Sequence, residues 1–348
     1  MKYSICILTL AIGLSVLKVS AQDQRKTNIK SLAVPGDLIK PRMRVIVDND
    51  FGGDPDGLFQ LVHQILSPSV EIRAIVGSHL KKGDPFDSSS ETATNAKKKV
   101  EEVLNVMELT GRFPVYEGSN TALSNDTTAQ NSTAAQVIIK EAMRTDTDLP
   151  LYVVCGAGLT DLASAYLLEP KIAARLTLIW IGGPEYAGLA TPPPGYTSLE
   201  YNLGIDVMAA KVIFNQSAIP IWQVPRNAYR LALMPYAELL LKVKPQGKTG
   251  KYLADKIEAL MRMTAKFNLK IGETYIMGDS PLVLLTALQS SFEADPSSSQ
   301  YVTRQAPIIN NQGLYEVNNA GRNIRIYTQL DTRLLFEDFF AKLSLFCR

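Results

Sequence analysis

An open, mostly parallel α/β sheet flanked by helices is the fold class this sequence predicts, and three observations carry it. Short apolar, β-branched runs recur along the chain: VIV at 45–47, EIRAIVG at 71–77, LYVVC at 151–155 and LTLIWI at 176–181. They have the length of buried parallel strands. Stretches with helical spacing separate them, which is the alternation of strands with crossover helices. Polar, glycine-rich segments then follow the apolar runs directly, at the strand ends where open α/β sheets bind ligands.

The 348 residues, 46% hydrophobic and 20% charged with a formal net charge of +2, are ordinary globular composition. One large domain or two smaller ones are both allowed. No strongly basic balance points to nucleic acid, and no acidic tail is present. The N-terminus stands apart. Lys2 precedes an apolar run from Ile5 to Leu17, and Val19-Ser-Ala21 offers small residues for cleavage before Gln22. This is a secretory signal peptide in form over 1–21, too short and too broken by Lys18 for a stable membrane anchor. A polar lead-in follows over 22–41, and one folded domain is expected over 42–348. The expected location is therefore secreted or periplasmic. Beyond Cys6 in the leader only Cys155 and Cys347 remain, which excludes a disulfide scaffold. Cys155, in an apolar strand, reads as a small core residue.

In chain order, Arg44–Val47 is expected as a strand, and Gly52, Gly53 and Pro55 turn the chain into a helix over Leu58–Leu66. Glu71–Gly77 is the second strand, with His79 just past its end. A polar loop leads to a helix over Glu91–Leu109, then Pro114–Gly118 forms a short strand and turn. Ala134–Arg144 reads as a helix, Leu151–Cys155 as a strand, and Gly156–Asp161 as the turn into a helix ending at Leu168. The strand Leu176–Ile181 ends in Gly182-Gly-Pro184. Past a proline-rich loop come Glu200-Tyr-Asn202, a helix over Asp206–Phe214 and a strand over Ile219–Val224. Pro235–Phe267 reads as helical with a break at Lys244–Gly250, and Gly278-Asp-Ser-Pro281 opens an apolar helix to Leu288. Tyr301–Ala306, Leu314–Val317 and Ile324–Thr328 alternate as strands do, and Asp331–Leu345 closes the chain as a helix.

Chemistry concentrates after the first strand, where Asp48, Asp50, Asp54 and Asp56 fall within nine positions. Turn and cap chemistry explains one or two such residues. Four like charges this close raise one another's pKa unless a cation offsets them, and Ca²⁺ suits a flexible carboxylate loop better than Mg²⁺.

Taken together, VIVDNDFGGDPD, GAGLTDLA with LLEP after it, IGGP, EYNLGIDVMAAKVIF and GDSPLV resemble the inosine/uridine-preferring nucleoside hydrolase family, in family order and across nearly the whole chain from Arg44 to Leu345. The resemblance implies that family's Rossmann-like fold. It also implies Ca²⁺-dependent hydrolysis of the N-glycosidic bond of a small-molecule ribonucleoside. The ion would be held by Asp50, by Asp54 or Asp56, by Asp279 and by a carbonyl near Gly156. Asp50 would be the general base and Asp48 its support from behind. Glu200 and Asn202 would grip sugar hydroxyls, with Asp54 and Asp279 also meeting the substrate. His79 is a further substrate-side candidate by its strand-end position, and a homo-oligomer is allowed. Tyr201, Trp222 and Tyr229 could stack on a base, although aromatics more often build cores. His63 and Asp206 read as structural, the latter as a helix-capping acid. Asp279 before Ser-Pro also has the form of a cap.

Departures from the family pattern matter. Two adjacent aspartates are common where this chain has Asp54-Pro55-Asp56-Gly57, so the metal-facing aspartate stays open. Gly278 stands where purine-cleaving members carry an acid histidine. Asp161 stands where asparagine is usual. Two rivals remain. A haloacid-dehalogenase-like phosphatase would use Asp48 and Asp50, but Phe51 and Val283 break its pattern. A secreted ribosyl-binding protein with the same pocket and little catalysis follows from the missing histidine. Asn125, Asn131 and Asn215 begin glycosylation sequons, relevant only in a eukaryotic secretory route.

Overall fold

Buried β-branched runs and the loops between them build an eight-stranded sheet in the computed structural model, which describes residues 38–196, 199–269, 271–290 and 298–347. The leader expected at 1–21, and the lead-in as far as residue 37, lie outside the described residues. The strands are β1 Met43–Asn49, β2 Val70–Gly77, β3 Val115–Glu117, β4 Leu151–Cys155, β5 Leu176–Ile181, β6 Ile221–Val224, β7 Leu233–Pro235, β8 Thr274–Ile276, β9 Gln300–Gln305, β10 Ile308–Ile309, β11 Tyr315–Glu316 and β12 Asn323–Gln329. The main sheet runs β3-β2-β1-β4-β5-β6-β12-β9. Every pairing in it is parallel except β12 with β9, an antiparallel edge. Strand order reverses between β1 and β4, so the ligand crevice of this topology lies beyond the carboxyl ends of those two strands.

Helices cover both faces and make two cores. Val45 and Val47 pack with Phe59, Leu61 and Val62 of the helix Asp56–Ile65. Ile46 packs oppositely with Ile138, Leu162 and Trp180. The two-residue period of a strand therefore sends Asp48 to the face of Ile46 and Asn49 to the face of Val47. That alternation decides what each polar residue at the end of β1 can reach.

Several segments differ from expectation. The helix expected over Asp206–Phe214 runs from Val207 to Gln216, widened to a π-helix over Val212–Gln216, and a separate short helix takes Tyr201–Ile205 before Asp206. After Asp279 only Pro281–Leu284 is helical, not the run to Leu288. The break after Pro235 is shorter than expected, because the long helix starts at Gly247 and runs to Lys266. The paired strands β7 and β8 were not foreseen. Among the described residues, no helix is long and apolar enough to cross a membrane.

Candidate active site

β1 ends in Asn49, and the Asn49 side chain organises the crevice. Its Oδ1 accepts the Asp50 amide at 2.8 Å, and its Nδ2 donates to Asp279 Oδ2 at 3.0 Å, joining segments 230 positions apart. Space for this amide is made by glycine. A Cβ on Gly156 would stand 2.5 Å from Asn49 Nδ2, and one on Gly57 3.1 Å from the same atom. The amide of Asp279 donates to Asp56 Oδ2 at 3.1 Å. Asp279 therefore does not cap its helix: its side chain turns to Asn49, and the helix has no side-chain cap. Asp56 opens the helix after the turn, buried at 8% exposure, whereas Asp54 is exposed and accepts the Tyr275 hydroxyl at 2.8 Å.

The ends of β4 and β5 supply the opposite wall. Asn202 Nδ2 donates to Gly156 O at 3.0 Å and to Ile181 O at 2.8 Å, tying the two strand ends together. Both donor hydrogens are thereby used, leaving its carbonyl oxygen for a ligand. Glu200 accepts the amides of Gly183 and Leu203 at 2.7 and 2.9 Å, and the Tyr229 hydroxyl at 3.0 Å. Asp50, Asp54, Asp56, Asp279, Glu200, Asn202 and Gly156 all line one cavity of about 600 Å³. Asp84, Tyr201, Tyr229 and Tyr275 join them, and Tyr201 donates to Asp84 Oδ2 at 2.5 Å. Trp222 is elsewhere, against Tyr152 and Tyr327.

Two expected site residues are not brought in. His79 stands at the end of β2, but its ring is buried away from the cavity, with Nδ1 at 2.9 Å from Leu80 O and Nε2 at 2.8 Å from Thr160 Oγ1. Thr160 in turn donates to Asp206 Oδ2 at 2.7 Å, so His79 is a structural tie between loops. Asp48 points to the other face of the sheet and accepts the Ser78 hydroxyl. It supports that loop, on the face opposite Asn49. Its Oδ2 has no hydrogen-bond partner among the described residues. Asp206 does cap its helix, accepting Ala209 N at 2.9 Å, and His63 is buried against Asp338.

Electrostatics set the chemical character of the cavity. Burial, then Asp279, Asp54 and Asp84, push Asp50 well above the usual carboxylate range. Burial followed by Asp279, Asp54 and Asp50 does the same to Asp56. Asp279 is pushed up to about 8, chiefly by burial, against the lowering hydrogen bond from Asn49. A set of mutually repelling, oxygen-only donors is suited to a hard divalent cation. Among the described residues, no three His, Cys, Asp or Glu side chains are already drawn into a metal nest. The donor chemistry fits such an ion; the carboxylates line the cavity rather than closing on one point.

Fold and site together define an enzyme of the open α/β class that takes a small ligand at the switch point of its sheet. The sequence matches the inosine-uridine preferring nucleoside hydrolase family over residues 45–337, and the chain belongs to that family. It is accordingly an N-glycosidase, and the phosphatase alternative falls away. Among solved structures, the purine-preferring ribonucleoside hydrolase from Gardnerella vaginalis superposes with a TM-score of 0.63 at 18% identity, covering 87% of this chain and 99% of that one. The inosine-uridine preferring nucleoside hydrolase from Bacillus anthracis gives 0.60 at 13% identity with the same coverage. The type III effector protein XopQ, complexed with adenosine diphosphate ribose, gives 0.55 at 14% identity, covering 88% and 93%. Identities this low speak for the fold. No curated protein matches.

Asn49, Asp84 and Tyr275 escaped the sequence reading. A strand-end amide between two aspartates was the available signal for Asn49; the contacts of the other two span 117 and 221 positions and leave no local trace.

Proposed function

We propose that the chain hydrolyses ribonucleosides to ribose and free base with Ca²⁺ at the Asp loop, Asp50 accepting the proton of the attacking water. The observation that carries this is the meeting of Asp50, Asp56 and Asp279 with Glu200 and Asn202 around one cavity at the switch point. Asp50, Asp56, Asp279 and the Gly156 carbonyl would hold the ion, the last sharing its lone pairs with Asn202. When bound, the ion orients sugar hydroxyls and water and lowers the pKa of that water. Glu200, anchored by three backbone amides, and Asn202 meet the ribose hydroxyls. As the C1′–N bond stretches, surrounding carboxylates stabilise the oxocarbenium character of the ring. The leader sequence supports action in a secreted or periplasmic setting.

A second reading, a ribosyl binder without turnover, is favoured by one observation. The three cavity tyrosines each donate to a carboxylate, and both histidines are engaged elsewhere, so neither a tyrosine nor a histidine is free to protonate a leaving base. Ribose release from a nucleoside panel, with chelator and after Ca²⁺ is restored, separates the two. Chelator-sensitive release supports hydrolysis; tight binding of ribose without release supports the binder.

A further inference from the structure

The cavity is lined by six carboxylates (Asp50, Asp54, Asp56, Asp84, Glu200 and Asp279), and by no lysine, arginine or histidine among the described residues. A divalent ion would draw the buried carboxylates beside it into their ionised form, and its two charges would offset at most two of the six. Two of the six, Asp54 and Asp84, accept from tyrosines and lie outside the ion-binding set proposed above. Lys81, Lys82 and Arg230, each close in sequence to a lining residue, are exposed and outside the lining, and Lys81 Nζ stands beside Gly204. Tyrosines 201, 229 and 275 with Phe86 add aromatic surface to the same cavity, and aromatic faces attract cations.

The second observation concerns the leaving group. Cleaving a neutral nucleoside leaves an anionic base that needs a proton. Gly278 leaves the position before Asp279 without a side chain, and the Tyr229 ring occupies the adjoining space, with Cδ2 3.4 Å from where a Cβ would be. The Tyr229 hydroxyl faces Glu200 instead. His63 and His79, the only histidines in the chain, are held by Asp338 and Thr160.

We infer that the preferred substrate is a cationic N-ribosyl heterocycle without phosphate, such as an N-ribosylpyridinium or an N7-alkylated purine nucleoside. This rests on the hydrolase reading above and names its substrate class. Water adds to C1′ as the C1′–N bond breaks. The bonding pair returns to the ring nitrogen and cancels its positive charge, so the base departs neutral and takes no proton. The proton of the water passes to Asp50 and then to solvent; ribosyl cation-heterocycle and water give ribose, neutral heterocycle and one proton. A carboxylate-lined cavity favours the charged reactant electrostatically and disfavours phosphorylated ones.

The test compares kcat/KM for N-ribosylnicotinamide and 7-methylguanosine with uridine, inosine and a nucleoside 5′-phosphate on the Ca²⁺-loaded protein. Because charged nucleosides are intrinsically more labile, a second arm measures competitive inhibition by the N-methylnicotinamide cation and by neutral nicotinamide. The cation should inhibit about tenfold more tightly, the scale of one screened charge interaction, and the gap should shrink with added salt. Asp84→Asn, which removes one charge and keeps a partner for Tyr201, should narrow it as well. Preference for uridine or inosine, or equal inhibition by the two probes, overturns the inference and leaves ribonucleoside hydrolysis standing. Absence of ribose release from every nucleoside overturns both.

Discussion

Replacing Asn49 by alanine tests how the site is held together. The substitution removes two buried hydrogen bonds, the one from the Asp50 amide at 2.8 Å and the one to Asp279 Oδ2 at 3.0 Å, from a residue that is 0% exposed. A bond to a charged partner is worth about 1.5–3 kcal/mol and a neutral one about 1 kcal/mol. Asn49→Ala should therefore lower unfolding stability by about 2–4 kcal/mol. It should also weaken Ca²⁺ binding by about 10–100-fold, as loss of a side chain that orients a metal ligand does. Gly156→Ala sharpens the test. Its new Cβ would lie 2.5–2.7 Å from the Asn49 amide atoms, an overpacking worth about 1–3 kcal/mol. In the Asn49→Ala background those atoms are gone and the cost should largely vanish. Urea unfolding of both single variants and the double variant measures the cycle, with a coupling of at least about 1 kcal/mol expected. Additive costs, or an Asn49→Ala protein with unchanged Ca²⁺ affinity by calorimetry, would refute the bridging role.

Two further perturbations probe the scaffold. Burial holds His63 down at about 4 from its ordinary 6.5, outweighing the raising bond to Asp338. The unfolded chain thus takes up this proton first as pH falls, so stability is complete above about pH 6.5 and drops by about 3 kcal/mol on going to pH 4. Urea midpoints across that range should fall in the wild type and fall less in His63→Gln; parallel profiles would contradict the assignment. Arg226 donates through Nε to Glu185 at 2.8 Å beneath the Tyr196 ring, both ionic partners being buried. Arg226→Met should cost about 3–5 kcal/mol by leaving Glu185 unpaired, and adding Glu185→Met should recover much of it; thermal unfolding decides.

What the sequence revealed follows the range of the forces involved. β1, β2, β4 and β5 were legible because buried parallel strands are written locally as β-branched runs, and the Asp loop because turn residues mark it. The family resemblance supplied Asp279, Glu200 and Asn202, which local reasoning alone would have left as caps and loop polarity. His79 shows the limit of a positional rule: the backbone reaches the right edge, but the ring turns to Thr160. Asp48 failed for a related reason, since one residue of register separates it from Asn49 and sends it to the opposite face. Strands of two or three residues such as β7, β8 and β10 carry too little pattern to be read, and the helix after Asp279 stops at Leu284 although its apolar run continues to Leu288.

The most direct measurement is ribose release by Asp50→Asn beside the wild type, with circular dichroism and Ca²⁺ calorimetry on both. If remote carboxylates meet here to cleave a sugar–base bond, the amide variant keeps its fold and loses at least about 10²-fold in turnover. Release at the wild-type rate from Asp50→Asn would contradict that account.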